Sequence, residues 1–127
     1  MSKQTIISII VIIVALGAIL FFVKKADSKP GVYDEFASCL AEQDATFYGA
    51  FWCPHCNDQK KLFGSKSVKN LDYVECSTPD GKGQTQVCID AEITGYPTWE
   101  FADGERVDGV MTLESLAEKT SCELPVR

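Results

Sequence analysis

Six cysteines are the residues of this sequence best suited to chemistry. The chain has 127 residues, and all six cysteines lie within the last 89 of them. An even number of cysteines at this density is typical of disulfide or metal chemistry rather than of chance packing. The six are Cys39, Cys53, Cys56, Cys76, Cys88 and Cys122.

Two of these cysteines form the motif Cys53-Pro54-His55-Cys56, which lies after a predicted strand and at the start of a predicted helix. The free N–H groups and the dipole of a helix N-terminus stabilise a thiolate at Cys53, and Cys56 lies one turn further on, where it can close a disulfide. His55 would stabilise the thiolate further as a hydrogen-bond donor or imidazolium. Because a stabilised thiolate favours the reduced form, the motif predicts a disulfide donor in which Cys53 attacks and Cys56 resolves.

The same two cysteines are also compatible with a metal site or a redox-gated binding module. Zinc would need two further ligands, and Cys76 and Cys88 are separated by eleven residues rather than by the two to four residues typical of a structural zinc site. Separately, His55 could be an ordinary surface histidine without a role at the site. Disulfide exchange needs only the two sulfurs, so the favoured prediction includes neither a metal nor another cofactor.

The elements around these cysteines predict an α/β domain in the order α-β-α-β-α-β-β-α. Asp103-Gly104 is a turn signal between two strands, and Thr112 is a candidate cap for the last helix. This order implies a four-stranded mixed sheet with helices on both faces. The predicted helices are 32–43, 54–63, 86–93 and 113–120, and the predicted strands are 45–51, 71–76, 98–102 and 106–110.

An almost wholly apolar segment of 18 residues runs from Ile6 to Val23 without a charge. As a helix it would span about 27 Å, close to the thickness of the hydrocarbon core of a bilayer. We therefore expect one transmembrane helix in a signal anchor at residues 1–25. A cleaved signal peptide is the alternative, since Ala15-Leu16-Gly17 offers small residues for cleavage, but the apolar run continues six residues further.

The side of the membrane is predicted by two opposing signals. Lys24, Lys25 and Lys29 follow the apolar segment, and Lys3 and the amino terminus precede it, which weakly favours a cytoplasmic body. The cysteines favour an extracytoplasmic body, because disulfides persist mainly outside the cytoplasm, and we give them more weight. The predicted organisation is the anchor, a short polar linker at 26–31 and one soluble domain at 32–127.

The charge of the body excludes one class of partner. Residues 26–127 carry nine basic and 18 acidic side chains. A body this acidic is poorly suited to phosphate backbones, so we expect no binding to nucleic acid.

Several short segments accompany the cysteine motif. They are Phe47-Tyr48-Gly49-Ala50-Phe51-Trp52, Gln59-Lys60, Leu62-Phe63-Gly64, Tyr73-Val74-Glu75-Cys76 and Gly95-Tyr96-Pro97-Thr98-Trp99-Glu100. With these segments the sequence resembles the thioredoxin superfamily from about Phe36 to Thr120. More narrowly, it is similar to the thioredoxin-like domain fused to bacterial and plant vitamin K epoxide reductase homologues, and Cys-Pro-His-Cys is the tetrapeptide of DsbA-type oxidases, which are strong oxidants.

The resemblance implies roles for residues outside the cysteine motif. Pro97 would be the cis-proline that faces Cys53 and Cys56, and the backbone of Tyr96 would pair with an extended substrate segment. Trp52 would contact substrate, whereas Phe51 and Trp99 are expected to lie in the core.

The resemblance also bears on the other four cysteines. Cys76 and Cys88 flank a loop and resemble the extra pair of the family, which implies a bracing disulfide, with a redox relay to the active pair as the alternative. Parity suggests a second bridge between Cys39 and Cys122. The thioredoxin arrangement would place their helices on opposite faces of the sheet, so this pairing stays open.

Two departures from the family pattern qualify the expected function. Phe47 occupies the position at which thioredoxin has a buried aspartate, which disfavours rapid reduction of substrates. One anchor helix stands in place of the fused quinone-reducing domain, so a separate membrane partner resembling a vitamin K epoxide reductase homologue would reoxidise the pair. The expected function is an anchored disulfide donor to exported thiol-containing polypeptides, with a reductase or isomerase as the alternative.

Overall fold

A computed structural model of the protein describes residues 1–26 and 29–126, with side chains described for 1–20 and 29–126. Helix α1 extends over Lys3–Ala26. Its stretch Lys3–Leu20 is long and apolar enough to cross a membrane, and it is the one helix with this property in the described part of the chain. Ala26 thus belongs to the helix rather than to the predicted linker, of which residues 27 and 28 lie outside the described residues.

Four short strands form one mixed sheet in the order β2-β1-β3-β4. Strands β1 and β2 are parallel, whereas β3 is antiparallel to both β1 and β4. The predicted fold class and the Asp103-Gly104 hairpin are confirmed, with Gly104 at φ 81° in the turn. The strands are β1 at Thr46–Gly49, β2 at Asp72–Glu75, β3 at Thr98–Glu100 and β4 at Arg106–Asp108.

Four further helices surround the sheet. The third helix is longer than predicted because it continues beyond Phe63. It is interrupted at Gly64, whose φ of 82° lies outside the helical region. The last begins after Thr112, whose side chain accepts a hydrogen bond from the Ser115 amide, as expected of an N-cap. The helices are α2 at Asp34–Glu42, α3 at Pro54–Ser67, α4 at Gln86–Asp90 and α5 at Leu113–Thr120, and a 3₁₀ turn at Val68–Asn70 follows α3.

The larger core lies on the side of the sheet to which Phe47 points. Phe47 stacks on Trp99 with ring centres 4.9 Å apart. Phe36 from α2, Phe63 from α3 and Leu116 from α5 belong to the same buried cluster. The expectation that the first and last helices of the domain lie on opposite faces is therefore wrong, because both cover the Phe47 face.

The opposite face of the sheet has a smaller core. Tyr48 points to this face, since successive side chains of a strand alternate, and it packs with Cys76, Cys88 and Ile93. Helix α4 supplies Cys88 to this cluster. The predicted placement of helices on both faces is thus confirmed.

Candidate active site

The Cys53-Pro54-His55-Cys56 motif caps the N-terminus of α3. Cys53 is the N-cap residue with extended backbone, and its sulfur accepts a hydrogen bond from the Cys56 amide at 3.4 Å. Pro54 occupies the first turn, where a missing N–H costs nothing. The predicted position of the motif at a helix start is confirmed. The sequence was sufficient for this prediction because proline is common in the first turn of a helix.

The two free cysteines of the motif differ in access. Cys53 is 5% exposed and Cys56 is wholly buried. Burial, a hydrogen bond with Cys53 and the field of the Cys53 sulfur raise the pKa of Cys56 to about 12. Cys53 is therefore the sulfur that a second molecule can reach, and Cys56 is held as a protonated thiol beneath it.

Pro97 lies opposite the motif at the start of β3. The Tyr96–Pro97 peptide bond is cis, and Pro97 is fully buried. The Cys53 thiol donates a hydrogen bond to the Tyr96 carbonyl at 3.7 Å. The structure thus brings Cys53, Cys56, Tyr96 and Pro97 together, whereas His55 lies exposed on the surface of α3.

Aromatic side chains border the site. Trp52 is half exposed, its ring meets Tyr96 edge to face, and its indole N–H donates to Ser77 Oγ at 2.9 Å. Phe51 is also 49% exposed, so the expectation that it lies in the core is wrong, whereas Trp99 is completely buried. Phe51 is exposed because β1 ends at Gly49 and the chain turns outward before Cys53.

Three residues near the cysteines were given no role by the sequence. Tyr73 Oη donates to Glu75 Oε2 at 2.7 Å, and the Lys60 ammonium lies 3.7 Å from the centre of the Tyr73 ring. Burial, the hydrogen bond to Glu75 and the charges of Glu75, Cys56 and Cys53 raise the pKa of Tyr73. For Tyr73 and Glu75 the sequence did contain a signal: they are two residues apart in a predicted strand, so their side chains point to the same face.

Gln59 joins the motif helix to the rest of the domain. Although it is polar, it is completely buried. Its Oε1 accepts from the Met111 amide and the Trp99 indole, and its Nε2 donates to the Met111 carbonyl. These bonds satisfy a buried amide and fix α3 against β3, which begins directly after Pro97.

The other four cysteines are joined in two disulfides. Cys76 bonds to Cys88 across the loop between β2 and α4, with Cα atoms 5.5 Å apart. Cys39 bonds to Cys122, with Cα atoms 5.9 Å apart and a sequence separation of 83. The sulfurs of Cys76 and Cys88 are thus engaged with each other, which removes the thiolates that a zinc site with Cys53 and Cys56 would need.

Known proteins resemble this chain over about two thirds of its length. It is 48% identical over 84 residues to thiol-disulfide oxidoreductase LTO1 of Arabidopsis thaliana, an alignment that covers 63% of this chain and 22% of that protein. It is 35% identical over 97 residues to a thioredoxin domain-containing protein 5 homolog of Drosophila melanogaster, covering 67% of this chain and 22% of that protein. No family model matches the chain.

The domain is thioredoxin-like. Its mixed sheet carries a free cysteine pair at a helix start, with a buried cis-proline opposite that pair. The chain spans about a fifth of the length of the curated relatives that it matches. The similarity therefore supports redox chemistry in this thioredoxin-like domain rather than the whole activity of either relative.

Proposed function

We propose that the protein is a membrane-anchored thiol-disulfide oxidoreductase that donates disulfides to exported polypeptides through Cys53 and Cys56. The observation that carries this proposal is the difference in position and burial between the two cysteines. One sulfur caps a helix and belongs to a residue that keeps slight exposure, whereas its neighbour is wholly buried as a thiol. This is the arrangement that a nucleophile and a resolving group need.

The exchange requires no atom beyond the sulfurs and protons. A substrate thiolate attacks Cys53 in the Cys53–Cys56 disulfide, that bond breaks, and Cys56 leaves with the electron pair and takes up a proton. A second substrate thiolate then attacks the substrate sulfur of the mixed disulfide, and Cys53 leaves as a thiolate. The substrate gains one disulfide, and the pair is left reduced.

The polypeptide substrate would lie along the surface formed by Trp52, Tyr96 and the Cys53 sulfur. Trp52 offers a half-exposed aromatic face, and its hydrogen bond to Ser77 holds the ring in place. The Tyr96 carbonyl already faces Cys53. An extended segment placed there can pair with the Tyr96 backbone while its own sulfur approaches Cys53.

The proposed location is the extracytoplasmic side of a membrane, with α1 as the anchor. The length and composition of α1 and the two disulfides support this location, because such bonds persist mainly in oxidising compartments. The oxidant that restores the Cys53–Cys56 disulfide would be a separate quinone-linked membrane oxidoreductase resembling a vitamin K epoxide reductase homologue.

Trapping tests the proposed chemistry. A Cys56→Ala variant keeps the Cys53 sulfur and lacks the resolving one. When Cys53 attacks a disulfide of an exported protein and displaces one of its sulfurs as a thiolate, the mixed disulfide should accumulate, seen as reducible high-mass bands. The matched control is Cys53→Ala combined with Cys56→Ala, in which the bands should vanish. If the single variant forms no more such bands than the control, the proposal is wrong.

A further inference from the structure

The buried thiol of Cys56 needs a route for its proton. Cys56 must gain one proton when the pair is reduced and lose one when the pair is oxidised, yet its side chain has no exposed surface. Burial is also the first cause of its raised pKa. A group inside the domain therefore has to exchange protons with this sulfur.

Gly49 lies between the Cys56 sulfur and Tyr73. A β-carbon built on Gly49 would lie 3.1 Å from Cys56 Sγ, 3.0 Å from the Tyr73 ring and 3.4 Å from Tyr73 Oη. The sulfur and the hydroxyl are therefore at most about 6.5 Å apart. Because residue 49 is a glycine, no side chain at this position separates them.

Glu75 is held so that it can accept a proton from the tyrosine. Its Oε2 accepts the hydrogen bond of Tyr73 Oη at 2.7 Å, and its Oε1 accepts from the Ser77 amide at 2.9 Å and the Phe51 amide at 3.2 Å. Three donors therefore fix the carboxylate. Glu75 is only partly buried, so it can exchange its proton with solvent.

We propose that Tyr73 and Glu75 form a proton relay for Cys56, a role that rests on the function proposed above. When Cys56 attacks a mixed disulfide at Cys53, its proton passes to Tyr73 Oη, and the hydroxyl proton passes to Glu75 Oε2. The new bond joins the two cysteine sulfurs, and the substrate sulfur leaves with the electron pair. In the opposite direction the proton returns from Glu75 through Tyr73 to the departing Cys56 thiolate.

The charged groups around the relay are consistent with this role. The Lys60 ammonium lies over the Tyr73 ring and opposes the rise in the pKa of Cys56, whereas the Cys53 sulfur adds to that rise. The pKa of Tyr73 is raised as well, chiefly by burial and by the bond to Glu75. Tyr73 therefore stays a neutral hydroxyl that passes protons on without ionising.

The test follows reaction of the reduced full chain, in detergent, with oxidised glutathione. Cys53 first forms a mixed disulfide with glutathione, and Cys56 then resolves it. Acid quenching and mass spectrometry measure the two steps separately. Tyr73→Phe and Glu75→Gln should slow the second step by about tenfold or more and leave the first step unchanged, because general acid–base groups contribute at least this much.

The pH profile separates a relay from a merely structural role. In both variants the second step should rise about tenfold per pH unit between about pH 6 and 9, because hydroxide must then remove the proton, whereas the parent protein should show a much flatter profile. Tyr48→Phe, on the other face of the sheet, and Asp72→Asn, at the exposed start of β2, are the matched controls and should behave like the parent.

Each outcome bears on one of the two proposals. Resolution at the parent rate with the parent pH profile in either Tyr73→Phe or Glu75→Gln would overturn the relay, while formation of the adduct at Cys53 would still support the proposed exchange. Failure of the parent protein to form the adduct would overturn the proposed exchange itself.

Discussion

The Cys53–Cys56 pair and the Cys76–Cys88 pair consist of the same residue type in different surroundings. Cys53 lies at the start of a 14-residue helix, has its sulfur hydrogen-bonded to a backbone amide and retains some exposure. Cys76 and Cys88 are both wholly buried under the opposite face of the sheet and are bonded to each other. Under the proposed function, position and access, rather than the cysteine side chain itself, decide which sulfurs exchange.

The two regions nevertheless touch each other. The loop between Cys76 and Cys88 carries Ser77, which accepts the hydrogen bond of the Trp52 indole. It also carries Gly81, where a β-carbon would lie 3.6 Å from the Trp52 ring. The bracing disulfide thus holds a loop that supports the aromatic face beside Cys53, without any need for electrons to pass between the pairs.

The largest difference between the two regions should emerge when sulfurs are removed from each. Cys53→Ala should reduce disulfide exchange to the uncatalysed level, because no other accessible thiol remains to attack or be attacked. Cys76→Ala combined with Cys88→Ala should retain exchange. Oxidation of a reduced thiol peptide, followed by chromatography, measures both. Loss of exchange in the second variant while it is still folded would contradict the separation of roles.

Alkylation probes the difference in access within the active pair. At neutral pH iodoacetamide should modify Cys53 at least about a hundredfold faster than Cys56, because only thiolates react and Cys56 remains a buried thiol. Since its pKa is raised to about 12, modification of Cys56 should increase only as the pH approaches that value. Peptide mapping measures the labels. Rapid labelling of Cys56 at neutral pH in a Cys53→Ala variant would contradict this assignment.

The two structural disulfides should contribute unequally to stability. Loop-closure entropy predicts a loss of about 4.5 kcal/mol for replacing the Cys39–Cys122 bridge by alanines and about 3 kcal/mol for the Cys76–Cys88 bridge, since the loops differ in length. The sequence separations are 83 and 12 residues. Urea unfolding of the full chain in detergent measures both. A larger loss of unfolding free energy on replacing the Cys76–Cys88 bridge would show that this bridge stabilises the protein by more than loop closure.

The smallest expected effect lies at the contact between the two regions. Ser77→Ala removes the acceptor of the Trp52 indole, a bond worth about 1 kcal/mol, so exchange with a polypeptide should fall about fivefold. Exchange with glutathione, which is too small to use the aromatic face, should not change. Ser115→Ala on α5 is the matched control. An equal loss with both substrates would place the effect in the pair itself.

Local signals were sufficient to predict most elements and the position of the cysteine motif at a helix start. Pro54 marked the start of α3, Thr112 the cap of α5 and Asp103-Gly104 the turn of the hairpin. Each signal acts within a few residues, so it needs no knowledge of the rest of the fold. The boundaries were less well predicted: the predicted helix ends at Phe63, whereas α3 resumes after the break at Gly64 and continues to Ser67.

The remaining features depend on tertiary structure. Cys39 meets Cys122 only because α2 and α5 cover the same face of the sheet, which the sequence order does not dictate. Tyr73 reaches the space beside Cys56 only because β2 pairs with β1 in the register that sets it against Phe47. Nothing in the sequence around Gln59 indicated that its amide would be buried.

The proposed function depends above all on Cys53 and Cys56 being an oxidising exchange pair while the other four cysteines stay bonded. Equilibration of the full chain in glutathione redox buffers, followed by alkylation and mass mapping, measures all three pairs at once. We expect Cys53–Cys56 alone to titrate, at a potential nearer the about −120 mV of a strong disulfide donor than the about −270 mV of thioredoxin. A potential near that of thioredoxin would contradict the oxidase direction, and titration of another pair in its place would contradict the assignment of the active cysteines.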